Sequence, residues 1–293
     1  MTTPSMGHLA QLGMGTGTPI TDVNGQAFEF LSETLKQTET QHHSNGLRGT
    51  RSRIDDRVRT VRKAISGGIV MNPTPTEIDW LLPKILGGTT AAGVTDVADT
   101  LPEVYIQIDR IAKVHEYVKC VCGQAVLQGS SGQPLQLTTD WEGETETETA
   151  AGSFPSITLP TDNMFVFSDI TLTLEGSART IDEFTLTINN MLQDDLYRNS
   201  VSRIEIPPQD REVTLAVTLP YDTDNVDLYN AAVAGAAGIL VMNDGTTTYT
   251  VNIANCKIPA DSPNVAGKGE IPLQLTVNCF GDGTNSECKW TKT

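Results

Sequence analysis

The residues with the types to do chemistry are few in this chain of 293: four histidines, five cysteines and one glycine-rich run. His42 and His43 stand side by side in the polar stretch Gln-Thr-Glu-Thr-Gln-His-His-Ser-Asn-Gly, with no ligand cluster around them. A zinc site needs three or four protein ligands, so a loop surface accounts for the pair better. His8 lies near the N-terminus and His115 in a strand-like run, and no nucleophile–histidine–carboxylate set can be assembled from them. Cys120 and Cys122 would share one face of a strand, but two thiolates fall short of a metal site. Cys279 and Cys288 could pair across a short loop, though nothing demands it. Five cysteines without framework spacing fit reduced, mostly buried thiols in an intracellular product. Gly13-Met-Gly15-Thr-Gly17 lacks the preceding strand and following lysine of a phosphate loop. Carboxylate pairs are abundant, but a net charge of −16 guarantees them, so they carry no weight as glycosidase evidence. No catalytic, cofactor or metal set emerges, and a non-enzymatic protein is expected.

The charge pattern has one uneven feature. Arg48, Arg51, Arg53, Arg57, Arg59, Arg62 and Lys63 are seven of the twenty basic residues, within sixteen positions. Nucleic-acid binding would call for interleaved aromatics, and here Asp55 and Asp56 sit inside the run instead. A basic excursion on an acidic protein can dock on a neighbouring copy, which sets register and orientation; a solvated loop is the plainer alternative. The candidate inter-subunit contacts are therefore Arg48, Arg51, Arg53, Asp55, Asp56 and Arg57. An opposite run, Asp140, Glu142, Glu144, Glu146 and Glu148, reads as an acidic, turn-rich linker.

The elements that would position these residues occur twice. Residues 134–143 (Pro-Leu-Gln-Leu-Thr-Thr-Asp-Trp-Glu-Gly) and 272–281 (Pro-Leu-Gln-Leu-Thr-Val-Asn-Cys-Phe-Gly) share six of ten positions. Residues 76–87 align with 224–235, with apolar matches at Ile78/Val226, Trp80/Leu228, Leu81/Tyr229 and Ile85/Val233 and closing glycines at Gly87 and Gly235. The strand at Phe28 resembles that at Phe184. Repetition in a fixed order limits the architecture. A helix is expected over 76–86, with Thr76 and Asp79 as its capping box, Pro83 inside it and Gly87 closing it. Asp224 would cap its counterpart. Residues 37–57 read as a loop or hairpin excursion and 88–98 as a surface loop. Strands are expected at 26–36, 58–70, 104–114, 117–127 and 135–140. In the second copy they are expected at Phe165-Val-Phe, 170–174, 184–188, 213–219 and 271–277, with a hairpin turn at Asn243-Asp-Gly245. The expected fold is mainly β: two tandem β-sandwich or barrel units, each with one flanking α-helix. The divisions are an arm (1–25), a first unit (26–143), a linker (144–160), a second unit (161–281) and a tail (282–293).

Aromatics are 5% of the chain, low for two self-sufficient cores, so contacts between units or subunits should supply stability. The N-terminus has no basic segment followed by an apolar run, as a secretory signal would. The longest apolar stretch, 231–242, is too short to span a bilayer. At −16, the chain is suited to staying soluble or to lining a channel that anions pass without sticking.

One order of features resembles a known family. It runs from a first strand (Phe28 to Leu35) through an arginine-rich loop to a strand ending at Gly67-Gly68. Then come Pro-Thr-Glu-Ile-Asp-Trp-Leu-Leu, the Leu86-Gly87 close, a strand with Lys119-Cys120, and Gly132-Gln-Pro-Leu-Gln-Leu with Gly143. It resembles the major tail tube proteins of long-tailed bacteriophages, from about Gln26 to Gly281. The resemblance implies sandwiches whose sheets join into a barrel around an acidic lumen. It implies rings stacked into a tube by a long loop, and DNA sliding through unbound. It also implies a tape measure protein and terminator or tip proteins as partners, no membrane, and a place in the virion after synthesis in the host cytoplasm. A duplicated chain would build the usual six-position ring from three subunits, the alternative being six; residues 41–57, the arm and the tail would make the contacts between rings. The competing reading is a two-domain β-sandwich adhesion module, for which the scattered Trp80, Trp141 and Trp290 offer no aromatic stripe. A hydrolase ranks below both.

Overall fold

A computed structural model describes residues 5–47, 49–52, 54–230, 236–259, 262–265 and 267–293. The first half contains β1 (Gln11–Gly15), β2 (Gly25–Phe28), β3 (Ser32–Glu33), β4 (Lys36–His43), β5 (Val58–Met71), α1 (Pro75–Leu86), β6 (Val94–Thr95), β7 (Val104–Asp109), β8 (Lys113–Ser130), β9 (Gln136–Gly143) and β10 (Thr145–Ala150). The second contains β11 (Ile170–Leu174), β12 (Ser177–Arg179), β13 (Glu183–Asn189), β14 (Glu212–Pro220), α2 (Val226–Asn230), β15 (Ala236–Asn243), β16 (Thr248–Lys257), β17 (Pro272–Phe280) and β18 (Lys289–Lys292). Strand accounts for 49% of residues and helix for 9%, so the fold is mainly β as the alternation requires.

The pairing scheme is followed twice. β1 pairs with β2 and β7, and β11 pairs with β12 and β15. β5 lies between β4 and β9, and β14 between β13 and β17. β8 pairs with β7, β9 and β10, and β16 pairs with β15, β17 and β18. An α-helix follows β5 in one half and β14 in the other. Every one of these ladders is antiparallel. In this scheme Phe28 (β2) and Phe184 (β13) do not correspond, because the counterpart of β2 is β12.

β8 makes the whole possible. It is 18 residues long, too long for one twisted sheet, and it changes sheets in the middle. Lys119 there has a positive φ of 52°, and the register with β9 shifts between Cys122 and Gln124. A bulge of this kind bends a strand. Before the bend β8 lies between β7 and β10. After it, β8 lies between β9 and β13, and residues 124–130 pair with 189–183. One continuous sheet therefore crosses both halves in the order β4, β5, β9, β8, β13, β14, β17. Gly67 permits the break between β3 and β4: its φ is +156°, and a Cβ there would stand 2.5 Å from the Leu35 Cα and the Thr34 carbonyl.

The core is shared in the same way. Ile78, Leu81, Leu82 and Ile85 of α1 meet Ala125, Leu127 and Leu137 of the first half, and Leu186, Ile188 and Trp290 of the second. Each fully buried apolar side chain of this size stabilises by about 1.5–3 kcal/mol. The C-terminal strand adds further ties: β18 pairs with β6, and Lys292 bonds Asp79 of α1, which also accepts the Tyr249 hydroxyl at 2.6 Å.

Several expectations change. Residues 11–15, within the expected arm, are instead β1, with Leu12 and Met14 buried. Residues 282–293 are not a free tail, because they contain Cys288 and Trp290, both buried. The first part of the expected linker is β10. Residues 26–36 divide among three strands, and 88–98 contain β6. Phe165-Val-Phe leads into a 3-10 turn at 167–169 rather than forming a strand. α1 starts two residues earlier than expected. Thr74 is its N-cap, with Glu77 closing the capping box, and Pro75 takes the first helical position, where a missing N–H costs nothing. Thr76 instead donates its backbone N–H to Asp162 at 3.0 Å. Pro83 remains inside the helix, and Gly87 ends it at φ 86°. Before α2 it is Asp222, not Asp224, whose carboxylate accepts the backbone N–H groups, those of Asp224 and Asn225, both at 3.0 Å.

All five cysteines are buried free thiols, and Cys279 and Cys288 are not bonded to each other. Burial pushes Cys256 and Cys288 up to about 12, and raises Cys120, Cys122 and Cys279 further. A thiol reagent at mildly alkaline pH should therefore label none in the folded chain and all five after unfolding. Fast labelling of the folded chain would contradict this packing.

The turn after β17 yields a pH prediction. Asp282 accepts the backbone N–H groups of Asn285 and Thr284 at 2.7 and 2.8 Å, and these bonds hold it down to about 2 from an ordinary 3.8. A depressed carboxylate stabilises above its unfolded value and loses this as pH falls through its folded value. Amide shifts of Thr284 and Asn285 should hold steady from neutrality through pH 4 and move only towards pH about 2.

Candidate assembly interface

The continuous sheet has two unlike faces. Inward positions alternate with outward ones along each strand, as in Phe184, Leu186 and Ile188 against Glu183, Thr185 and Thr187. The outward positions of the five strands from β9 to β17 are mostly Thr, Gln and Asn. They include Gln136, Thr138, Gln124, Gln128, Thr185, Thr187, Thr214, Thr218, Gln274, Thr276 and Asn278. The charges among them are carboxylates: Asp140, Glu142, Glu183 and Glu212. No lysine or arginine occurs in 124–130, 136–143, 183–189, 212–220 or 272–280. Neighbouring side chains tie this face together, with Gln128 donating to Gln136 and Thr218 to Glu183, each at 2.7 Å. Partial burial raises the Asp140 carboxyl.

The two ends of this sheet are open. β3 and β4 pair only with β5, so their other edge is unpaired among the described residues. β17 pairs with β14 along its length, but with β16 only over Asn278–Phe280. An unpaired edge is a template for another strand. The repeated Pro-Leu-Gln-Leu sets the registers side by side. Leu137 pairs with Met71, and the β3–β5 register, Ser32 on Val70, carried one residue further puts Leu31 across from Met71; Leu275 pairs with Val217, which pairs with Phe184. Phe184 faces the seam with β8 and is 1% exposed, whereas Leu31 at the matching place is 58% exposed. Phe280, at the other end of the sheet, is exposed as well.

The basic excursion is the projecting end of the β4–β5 hairpin, whose strands stay paired out to His43 and Val58. Arg51, Asp55, Asp56 and Arg57 are exposed there, with Asp55–Arg57 in a 3-10 turn. Arg48 and Arg53 lie outside the described residues. Among the described residues, no ion pair engages Arg51, Arg57 or Arg59.

The acidic run is not a turn-rich linker but the β9–β10 hairpin, and four of its carboxylates have cationic or histidine partners. Glu142 meets Arg203 at 2.6 Å, Glu144 meets Lys119 at 3.2 Å, Glu146 meets His115 Nδ1 at 2.7 Å, and Glu148 meets Lys113 at 4.0 Å. Three of these partners lie on β8, so the charges form a cross-strand ladder. Asp140 faces out on the polar sheet.

Sequence reasoning missed the buried arginines. Arg203, 3% exposed, donates to the carbonyls of Ile65 at 2.5 Å and Asp194 at 2.6 Å, and to the Asp194 carboxylate at 2.9 Å. Arg179 is forked on Asp227, both contacts at 3.0 Å, and Arg110 on Glu33 in the same way. Arg179 and Arg203 are buried and Arg110 is half-buried, and many of their partners lie far off in sequence or are backbone carbonyls, so no local pattern marks them. Among the described residues no group of three or more His, Cys, Asp or Glu could hold a metal ion, and no helix is long and apolar enough to cross a membrane.

The chain is mainly β, with open sheet edges, a projecting charged hairpin and a polar face whose own strands carry no lysine or arginine, the features of a structural protein rather than an enzyme. The sequence matches the phage tail tube protein family over residues 5–279, nearly its whole length, and the chain belongs to that family. It is a structural component of the virion tail. No curated protein matches it.

Proposed function

We propose that the chain is two tandem copies of one tube unit, and that three chains close head to tail into a ring with pseudo-sixfold symmetry. The repeated pairing scheme supports the duplication and moves its limits to 11–150 and 170–292, in place of 26–143 and 161–281. The observation that carries the ring is the seam between β8 and β13: it is a finished unit-to-unit junction inside one chain, and the open edge at Leu31 is the same position without its neighbour. Rings then stack into a tube whose lumen is the Thr/Gln/Asn face with its carboxylates. DNA passes such a wall without sticking, because tight binding needs phosphate neutralisation by cations that the face lacks. Tape measure, terminator and tip proteins would be its tail partners. The adhesion module gains no support: Trp141 and Trp290 are buried and Trp80 is half-buried, leaving no exposed tryptophan stripe. Imaging of the purified protein should show rings or tubes with an open lumen that retain no duplex DNA at moderate salt. Persistent monomers at high concentration would sink the proposal.

A further inference from the structure

We propose that residues 190–211 of the second half buttress the β4–β5 hairpin of the first, so that the ring-to-ring contact with a second copy of the chain, which the tube reading assigns to that hairpin, is made by a composite of both halves. Each chain then offers one such platform, not two. This rests on the tube reading above and adds a division of labour between the halves.

At matching places in the pairing scheme, the first half has a projecting hairpin and the second has the irregular segment 190–211. That segment folds back across the first half. Asn190 donates to the carbonyls of Ile85 and Cys122, each at 3.0 Å. β9 accompanies β5 only as far as the pair Ile65–Gly143, so from Val58 to Ala64 that side of β5 would be bare. Residues 201–203 take over there. The Lys63 N–H donates to the Val201 carbonyl at 2.7 Å, and Lys63 and Ser202 form a parallel bridge. The Arg62 guanidinium lies 4.6 Å over the Tyr197 ring. Arg203 fastens the base, joining Ile65 to Glu142 and Asp194.

A two-stranded hairpin is marginal in water, and a third strand is what gives it independent stability. The second half supplies that support, so the hairpin's direction is set by 190–211. The exposed side chains of the pair include Ile54, Val61 and Val201 beside the cations Arg51 and Arg57 of the hairpin end. A copy carrying a net −16 is the complementary partner for those cations. A three-chain ring would then stack through three platforms at alternate positions.

The test uses the full chain with Tyr197→Ala, Arg203→Lys, and the exposed double change Arg51→Glu with Arg57→Glu. Hydrogen exchange on unstacked protein should show residues 36–65 opening about tenfold more readily in the first two variants and unchanged in the third. In all three, imaging should show single rings in place of long tubes. Unchanged exchange in both buttress variants would overturn the buttress, and normal tubes in the charge-reversed variant would overturn the docking surface. Wild-type protein that forms no rings would instead overturn the tube reading, while the exchange result would still decide the buttress.

Discussion

Arg203→Ala lowers the stability of the chain by about 1.5–3 kcal/mol, the worth of hydrogen bonds made by a buried charged group whose carboxylate partners keep contact with water. The guanidinium is almost fully enclosed, with 2% of its side chain exposed, and it serves both halves at once. Its loss leaves the Ile65 carbonyl without that donor, and leaves Glu142, already raised by burial, without its cation. Glu142 would then be driven further towards its protonated form. A raised carboxyl favours the folded state at low pH and costs stability as pH rises through its ordinary range to its folded value. The variant should therefore lose more stability at neutral pH than at mildly acidic pH. Urea unfolding at both pH values measures this, and a loss below about 1 kcal/mol at neutrality would show that the clamp is not buried in solution.

Leu31→Asp has the opposite profile: little effect on the single chain and a large one on assembly. Leu31 is 58% exposed, and substitutions at such places usually stay within about 0.5 kcal/mol. In the closed ring the same position would be buried as Phe184 is at the internal seam. An unpaired carboxylate buried there costs several kcal/mol, and every 1.4 kcal/mol is about a tenfold loss in association. Sedimentation should show a folded monomer at concentrations where the parent chain forms rings. Rings of undiminished stability would place the ring contact elsewhere.

Much of this arrangement was legible in the sequence, and the limits have physical causes. β13, β14 and β17 each bury one face, so Phe184 to Ile188, Val213 to Leu219 and Leu273 to Val277 carry clean alternation. Pro-Leu-Gln-Leu recurs because β9 and β17 hold the same place in the two halves, one beside β5 and the other beside β14. β1 was hidden because Gln-Leu-Gly-Met-Gly has little strand propensity of its own and is held by its neighbours on both sides. β18 was hidden because four residues are too few to show a period. At α1, two threonines each precede an acidic residue by three positions, and Pro75 decides between them. The basic hairpin was visible as a charge run. Its support was not, because Arg203 lies in a segment without regular pattern and reaches carbonyls 60 and 138 residues away.

The number of chains in one ring tests the central claim most directly. Image averages of end-on rings, combined with the measured mass of a single ring, give symmetry and stoichiometry together. The two-unit account predicts three chains of 31.6 kDa around six similar sheet positions, with threefold symmetry. Six full-length chains per ring would contradict it.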